Sequence, residues 1–409
     1  MRIMKIVALT AGAVLAATLT SCQSSTNKNE QAKAPQKLHL NGYFKRRAWK
    51  GGGFKEAHKM ALARLSGTPT VIPMSSYSVT STKDGNTYSG SVVGTSPFAT
   101  PLTGSTTNVV IIPLKISIGS ATFDAAAPDP CDGNVSALTR FQQSPLVNPV
   151  PALTMNGTNV GNVQFINGFR RAEFWNAIHG SAAYQNVLNF SFLDSYELTA
   201  ATIGSQGILI PGSDCASEGG TAQLALLSTD WLDGYLQGTV IPTLTNSGKI
   251  SPLDAVLFLL KNTVQSETSP PSNGSCCILG YHSAMGTVAV QTYGTMDWDT
   301  SGAFGTGMSD ASIASHEIGE WMDDPLALNP TPPWGNIGQV TGCQANWEVG
   351  DPLSGTLMPP ITMNGKGYQM QELAFYSWFF NKTGDASVGA AGKFSSNGTF
   401  QAPAVACTQ

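Results

Sequence analysis

Charge is scarce in this chain. Asp, Glu, Lys and Arg make up 12% of 409 residues, and histidine occurs only 5 times. The little basic charge there is sits at one end: of 22 Lys and Arg, 12 lie in residues 1–64, so the rest is acidic. An acidic body with no basic stripe argues against nucleic-acid binding. Past the first two dozen residues no apolar run is long enough to cross a bilayer; residues 255–260 are apolar but far too short. There is no Gly-x-Ser-x-Gly, which argues against a serine-hydrolase elbow, and no phosphate loop, which argues against nucleotide hydrolysis. No Cys-x-x-Cys occurs, so a thiolate-ligated metal is not expected. Internal repeats are absent as well.

What is present begins with a leader. Arg2 and Lys5 precede an apolar run over residues 6–19, and Leu19-Thr20-Ser21-Cys22 resembles a bacterial lipobox. Residues 1–22 are read as a lipoprotein signal peptide, with Cys22 the lipid-anchored mature N-terminus. An ordinary secretory signal is the alternative. Either way the expected location is the cell envelope, at the outer membrane if the host has two, or the exterior. Residues 23–66 form a polar, basic tether that could lie against anionic headgroups or act as a solvated spacer. Six further cysteines, Cys131, Cys215, Cys276, Cys277, Cys343 and Cys407, suit an oxidising compartment and disulfides. The adjacent Cys276 and Cys277 are expected to pair with different partners.

The strongest chemical signal is His316-Glu317-Ile318-Gly319-Glu320. With so few His and Glu, His-Glu-x-x-Glu arises by chance in roughly 0.3% of chains of this composition, which makes it the first lead to follow. On a helix, positions four apart share a face, so His316 and Glu320 can point at one ion while Glu317 stands beside it as a base. This is the metallopeptidase arrangement His-Glu-x-x-His with Glu as the second ligand. Ser309 or Asp310 can cap the helix, Ile313, Ala314, Ile318, Trp321 and Met322 supply its apolar face, and Asp324-Pro325 ends it. The bland alternative is an amphipathic helix whose His/Glu stripe faces water.

A catalytic metal needs a third protein ligand and an open position. Glu348, in Asn346-Trp347-Glu348-Val349-Gly350-Asp351, is the preferred third ligand, with Asp351 orienting a neighbour; His282 is the other candidate. His282 or Tyr293 could instead steady a developing oxyanion. One His and two carboxylates would neutralise Zn²⁺ and suit Mn²⁺ or Ca²⁺ as well. Asp297, Asp299, Asp323, Asp324 and Asp351 could add oxygens, although loop and helix-end roles fit most of them better. His39, His58 and His179 lack a ligand-spaced neighbour.

Element signals point to an α+β chain. Residues 67–168 read as β-rich: alternation at 77–82, a turn at 83–86, a return strand at 87–93 and a buried strand at 109–118. Residues 169–409 read as a metallopeptidase-like α+β part. Helical patterns cover residues 170–179, 224–237 and 310–322, with a weaker one at 370–380. Strand candidates lie at 207–211, 255–260 and 287–293. The last of these precedes the motif helix through a loop containing Asp297-Trp298-Asp299, where zinc peptidases place the edge strand that holds an extended peptide.

Three segments together resemble a bacterial envelope family and, more remotely, the plant Exordium-like, phosphate-induced secreted proteins. They are Ser315-His316-Glu317-Ile318-Gly319-Glu320 running to Asp324-Pro325-Leu326, then Glu348-Val349-Gly350-Asp351, then Met363-Asn364-Gly365-Lys366-Gly367 leading to Trp378. The similarity spans about residues 280–380. Trp321-Met322-Asp323 departs from the relatives, which carry a smaller set ending in Thr. The resemblance implies an extracellular protein in which His316, Glu320 and Glu348 form one constellation; it implies no defined reaction. The expected function is an envelope-anchored, metal-dependent peptidase-like hydrolase acting on a peptide or protein. The alternative is a non-catalytic surface lipoprotein that binds a wall polymer or a protein and keeps a structural or vestigial metal site.

Overall fold

The computed structural model describes residues 71–212, 223–286, 289–334, 344–376, 387–388 and 393–400. The expected leader, Cys22 and the basic tether lie outside these residues, as do His39, His58, Cys215, Cys343 and Cys407. Among the described residues no helix is long and apolar enough to cross a membrane.

The architecture is mixed α+β, with many strands and few helices. Strands β1 (Met74–Thr80) and β2 (Thr87–Val93) form an antiparallel hairpin in the register Met74 opposite Val93 to Thr80 opposite Thr87. The long β3 (Ser105–Ile118) is followed by β4 (Ala121–Asp124), helix α1 (Ala137–Gln143), the hairpin β5 (Val150–Met155) and β6 (Thr158–Val163), and helix α2 (Phe165–Glu173). Next come β7 (Asn186–Phe192), β8 (Tyr196–Leu198), the short α3 (Ala200–Ile203), β9 (Gly207–Pro211) and β10 (Gln223–Ser228). Helices α4 (Thr229–Tyr235) and α5 (Ile241–Asn246) are joined by a π turn. The chain continues through β11 (Asp254–Lys261), β12 (Thr263–Ser266), β13 (Cys276–Ile278), β14 (Gly280–Met285), β15 (Gln291–Trp298) and the motif helix α6 (Ala311–Asp323).

One mixed seven-stranded sheet positions the site. Its order is β14-β15-β11-β3-β4, with β7 and β8 also paired to β3. β11 runs parallel to both β3 and β15, whereas β14 runs antiparallel to β15. Side chains alternate across a strand, and the centre of the sheet, β11, β15 and the middle of β3, is buried on both faces. Val109, Ile111, Leu257 and Leu259 share one core with Ile313, Ala314, Ile318, Trp321 and Met322 of α6. Val110, Ile112, Val256 and Phe258 share the other with Leu232, Leu236, Val240, Ile241 and Leu244 of the α4–α5 segment. A fully buried Val, Leu or Ile contributes about 1.5–3 kcal/mol, so this two-sided strand pair is the rigid centre of the fold. Because β3 pairs with β11 and β7, residues 71–168 and the described part after them contribute to one sheet and to shared cores.

Several elements differ from the expectations. Leu224-Ala225-Leu226-Leu227 has a helix-former composition yet forms β10, between β9 and β12, because its side chains fill both cores. The helix expected at 170–179 is α2, which starts at Phe165 and ends at Glu173. Residues 370–376 are not helical; Ala374 bridges Ser395 instead, and 377–380 lie outside the described residues. The strand before the motif helix is displaced: 287–288 lie outside the described residues, and β15 runs to Trp298, with Asp297 and Trp298 buried rather than in a polar loop. β15 is also interior. The edge strand is β14, which carries His282. Cys276 and Cys277 are bonded to each other, both buried in the core beside the sheet, not to separate partners. Cys131 is disulfide-bonded as well.

Helix α2 is fastened to the end of α6 by a buried cation. The Arg170 guanidinium contacts the Asp323 carboxylate, lies 3.5 Å from Glu173 Oε2, and stacks over the Phe174 ring at 5.1 Å. All three charged side chains are fully buried. Removing one member of such a group leaves uncompensated charge, which costs about 3–5 kcal/mol. Arg170→Met is therefore expected to lower the stability read from urea unfolding by about that amount; a loss below about 1 kcal/mol, the level of an exposed pair, would contradict this reading.

Candidate metal centre

Helix α6 is buried along its whole length, which removes the reading of its polar stripe as a solvent face. Asp310 caps it, its carboxylate accepting the Ala311 N–H and, at 2.9 Å, the Gln369 N–H. Gly319 sits mid-helix because a side chain there would run into Leu373: a Cβ would lie 2.7 Å from Leu373 Cδ1. Pro325 follows Asp324, whose carboxylate accepts the N–H groups of Leu328 and Asn329 at 2.7 and 2.9 Å. Asn329 in turn donates to the carbonyls of Asp323 and of Ser91 on β2. The helix end is thereby tied to the hairpin.

His316 is held in one tautomer. Gln371 donates from Nε2 to the Gly350 carbonyl at 2.6 Å, so its Oε1 faces His316 Nδ1 at 3.0 Å as an acceptor. The Gln371 N–H is itself held by Ser315 Oγ at 2.8 Å. The imidazole proton is thus on Nδ1, and the Nε2 lone pair points to Glu320 Oε1 at 3.0 Å and Asp351 Oδ1 at 3.8 Å. Gly350 must be glycine for this packing, since a Cβ there would lie 2.6 Å from His316 Cε1. Glu320 Oε1 also accepts the N–H groups of Gly350 and Asp351 at 3.1 and 3.2 Å.

The edge strand supplies the second histidine. His282 is opposite Gly294 in the β14–β15 register, on the sheet face that meets α6. Its Nε2 donates to the Asp324 carbonyl at 3.1 Å. Nδ1 lies 3.5 Å from Glu317 Oε2 and 3.6 Å from Glu320 Oε2, and in the neutral imidazole it presents a lone pair to them. A nitrogen presented this way can ligate but has no proton for an oxyanion. Gly280, two residues earlier, leaves room for Glu317, whose Oε1 would stand 2.5 Å from a Cβ there. Neither Glu317 oxygen has a hydrogen-bond partner among the described residues.

Two donor groups result, each with its atoms within 4.8 Å of one another: His316, Glu320 and Asp351, and His282, Glu317 and Glu320. These buried groups could hold a metal ion. Two donors bound to one zinc at about 2.0–2.1 Å stand roughly 3–3.5 Å apart, so the spacings from 3.0 to 3.8 Å fit shared ligation and are mostly long for hydrogen bonds. Glu348 belongs to neither group; its Oε2 is 3.8 Å from His282 Nε2, and the carboxylate grouped with His316 and Glu320 is that of Asp351.

Electrostatics fit a site built around a cation. Burial, then the charges of Glu320, Glu348 and Asp351, push the Glu317 carboxyl well above its usual range. Burial, then Asp351, does the same to Glu320 against the hydrogen bonds it accepts from the Gly350 and Asp351 N–H groups. Burial brings His316 down to about 4 although Asp351 opposes it.

Other expected residues lie elsewhere. Tyr293 is opposite Ser283, so it faces away from His282, and its hydroxyl donates to Asp233 Oδ1 at 2.6 Å in the other core. It takes no part in the cluster, and no oxyanion role follows for it. Asp297 accepts the Thr263 N–H, Asp299 accepts the Ser301 N–H and hydroxyl, and Asp323 pairs with Arg170. His179 is exposed in the turns after α2. Gln371 and Gly350 went unrecognised in the sequence because nothing in their spacing links them to the helix. Comparison with models of known families, with curated proteins and with solved structures finds no match.

The shifted groups give a testable pH dependence. Burial raises Asp310 to about 7 and Asp299 to about 6, from 3.8, and raises Glu317, Glu320 and Asp297 well above their ordinary values. The folded state therefore holds protons that the unfolded state releases. That contribution is complete below about pH 4 and is lost as pH rises through the folded values. His316 works oppositely: depressed from 6.5 to about 4, it contributes fully above 6.5 and loses this as pH falls. Between pH 6.5 and 8 only the carboxyls act. Chelator-treated protein is expected to lose thermal stability across that window, and saturating zinc to reverse the loss. A flat or rising melting temperature without metal would contradict the assignment.

Proposed function

We propose that this protein is a metal-dependent hydrolase of peptide bonds, held at the bacterial envelope through Cys22 with its basic tether against the membrane surface. The observation that carries the reading is the His316 imidazole, locked by Gln371 so that its Nε2 lone pair faces two carboxylates from separate elements. His316, Glu320 and Asp351 would hold the ion. The mixed nitrogen and oxygen donors suit Zn²⁺ first and Mn²⁺ as the oxygen-loving alternative. When bound, the ion supplies Lewis acidity toward a water and a peptide carbonyl.

Glu317 takes the proton of the attacking water on its carboxylate and hands it to the leaving amine. Its raised pKa makes it a stronger acceptor once ionised, and neither oxygen has a competing hydrogen bond among the described residues. Gln371 fixes the proton on His316 Nδ1, and the Gly350 and Asp351 N–H groups fix the Glu320 carboxylate.

One observation favours a second reading. Every donor is buried, Asp351 being the most open at 7% exposure. A closed centre suits a structural ion in a non-catalytic surface protein that binds a wall polymer or another protein. Glu317→Gln separates the two. In a fluorogenic peptide assay on zinc-reloaded protein, the hydrolase reading expects a loss of about 10²–10⁴-fold with the ion at His316 retained. Zinc-replete wild-type protein that cleaves no peptide favours the structural ion.

A further inference from the structure

We infer that the centre holds two divalent cations bridged by Glu320. This rests on the metal reading of His316 given above and extends it to a second ion.

The two oxygens of Glu320 face different histidines. Oε1 is 3.0 Å from His316 Nε2, and Oε2 is 3.6 Å from His282 Nδ1. Each histidine is locked by its other nitrogen, His316 by Gln371 Oε1 and His282 by the Asp324 carbonyl. Both therefore aim a lone pair at the same carboxylate from opposite ends. Each also faces one further carboxylate: Asp351 Oδ1 for His316 at 3.8 Å, and Glu317 Oε2 for His282 at 3.5 Å. The result is two matching sets of one imidazole, one private carboxylate and one oxygen of Glu320.

A lone pair directed at carboxylates is repulsive unless a proton or a cation stands between them, and 3.5 to 3.6 Å at His282 Nδ1 is long for a shared proton. One ion in the His316 group leaves the His282 group with the same problem, and there Glu317 is fully buried with no hydrogen bond to either oxygen among the described residues. A second ion at His282 Nδ1, Glu317 Oε2 and Glu320 Oε2 removes it. A carboxylate spanning two ions is the arrangement of two-metal hydrolytic centres, where the pair steadies both the attacking and the leaving atom. Glu317 would then ligate through Oε2 and keep Oε1 for the proton.

The test is the metal content of the full-length protein, stripped with chelator, reloaded with Zn²⁺ and measured by mass spectrometry, beside His282→Gln. The same two proteins loaded with Mn²⁺ are read by electron paramagnetic resonance. Two zinc ions per chain falling to one in the variant, and an exchange-coupled manganese signal that becomes uncoupled, are the expected results. One ion in both proteins overturns the second ion and leaves the single-ion hydrolase reading standing. Two ions with uncoupled manganese overturn the bridge. No ion in either protein overturns the metal reading altogether. If His282→Gln does not fold, the wild-type stoichiometry and manganese coupling decide the question alone.

Discussion

Carboxylates buried against one turn of helix, facing two imidazoles, set the terms for the rest of this structure. Burying an ionised carboxylate without a partner is expensive, so the surroundings must either keep protons on the cluster or admit a cation. Gln371 and the Asp324 carbonyl each take the proton of one histidine and, in the neutral imidazole, turn its other nitrogen inward as a lone pair. Inward N–H donors would have steadied ionised carboxylates unaided; inward lone pairs leave that to a proton or a cation. The 3.5 and 3.6 Å spacings at His282 Nδ1 are long for a shared proton and fit a cation.

The scaffold serves that arrangement. The β3–β11–β15 strands are buried on both faces and give α6 and the edge strand β14 a rigid bed. His282 and Gly280 reach the cluster because both lie on the face of β14 that meets α6. Arg170 pairs with Asp323 at the helix end, which keeps that acid out of the donor groups and fixes α2 to α6. Close approach is secured by three glycines: Gly280 beside Glu317, Gly319 beside Leu373 and Gly350 beside His316.

The motif helix was legible because several local signals agreed: Asp310 as cap, Ile313, Ile318 and Trp321 as an apolar stripe, and Asp324-Pro325 as a stop. The first hairpin, β3 and β11 were legible for the same reason. What could not be read depended on contacts distant in sequence. Leu224–Leu227 favours helix by composition and is strand because two neighbouring strands claim it. Asp297 looked like loop because a buried acid at a strand end is rare without its Thr263 partner in view. Tyr293 and His282 fall on opposite faces by the register of β14 against β15, which no local pattern records. His316, Glu317, Glu320 and His282 were named from residue type and spacing, and the fold brings them together. Asp351 in the place expected of Glu348, and Gln371 behind His316, required the folded loops.

The proposed location rests on the leader sequence alone, whereas the proposed centre rests on geometry. The central claim is that a cation belongs between His316 and Glu320. Crystals grown with zinc and measured at the zinc absorption edge test it most directly. The account predicts an anomalous peak about 2.0–2.1 Å from His316 Nε2, with Glu320 beside it. A clean map showing no peak there, with Nε2 hydrogen-bonded to Glu320 in zinc-saturated protein, would contradict it.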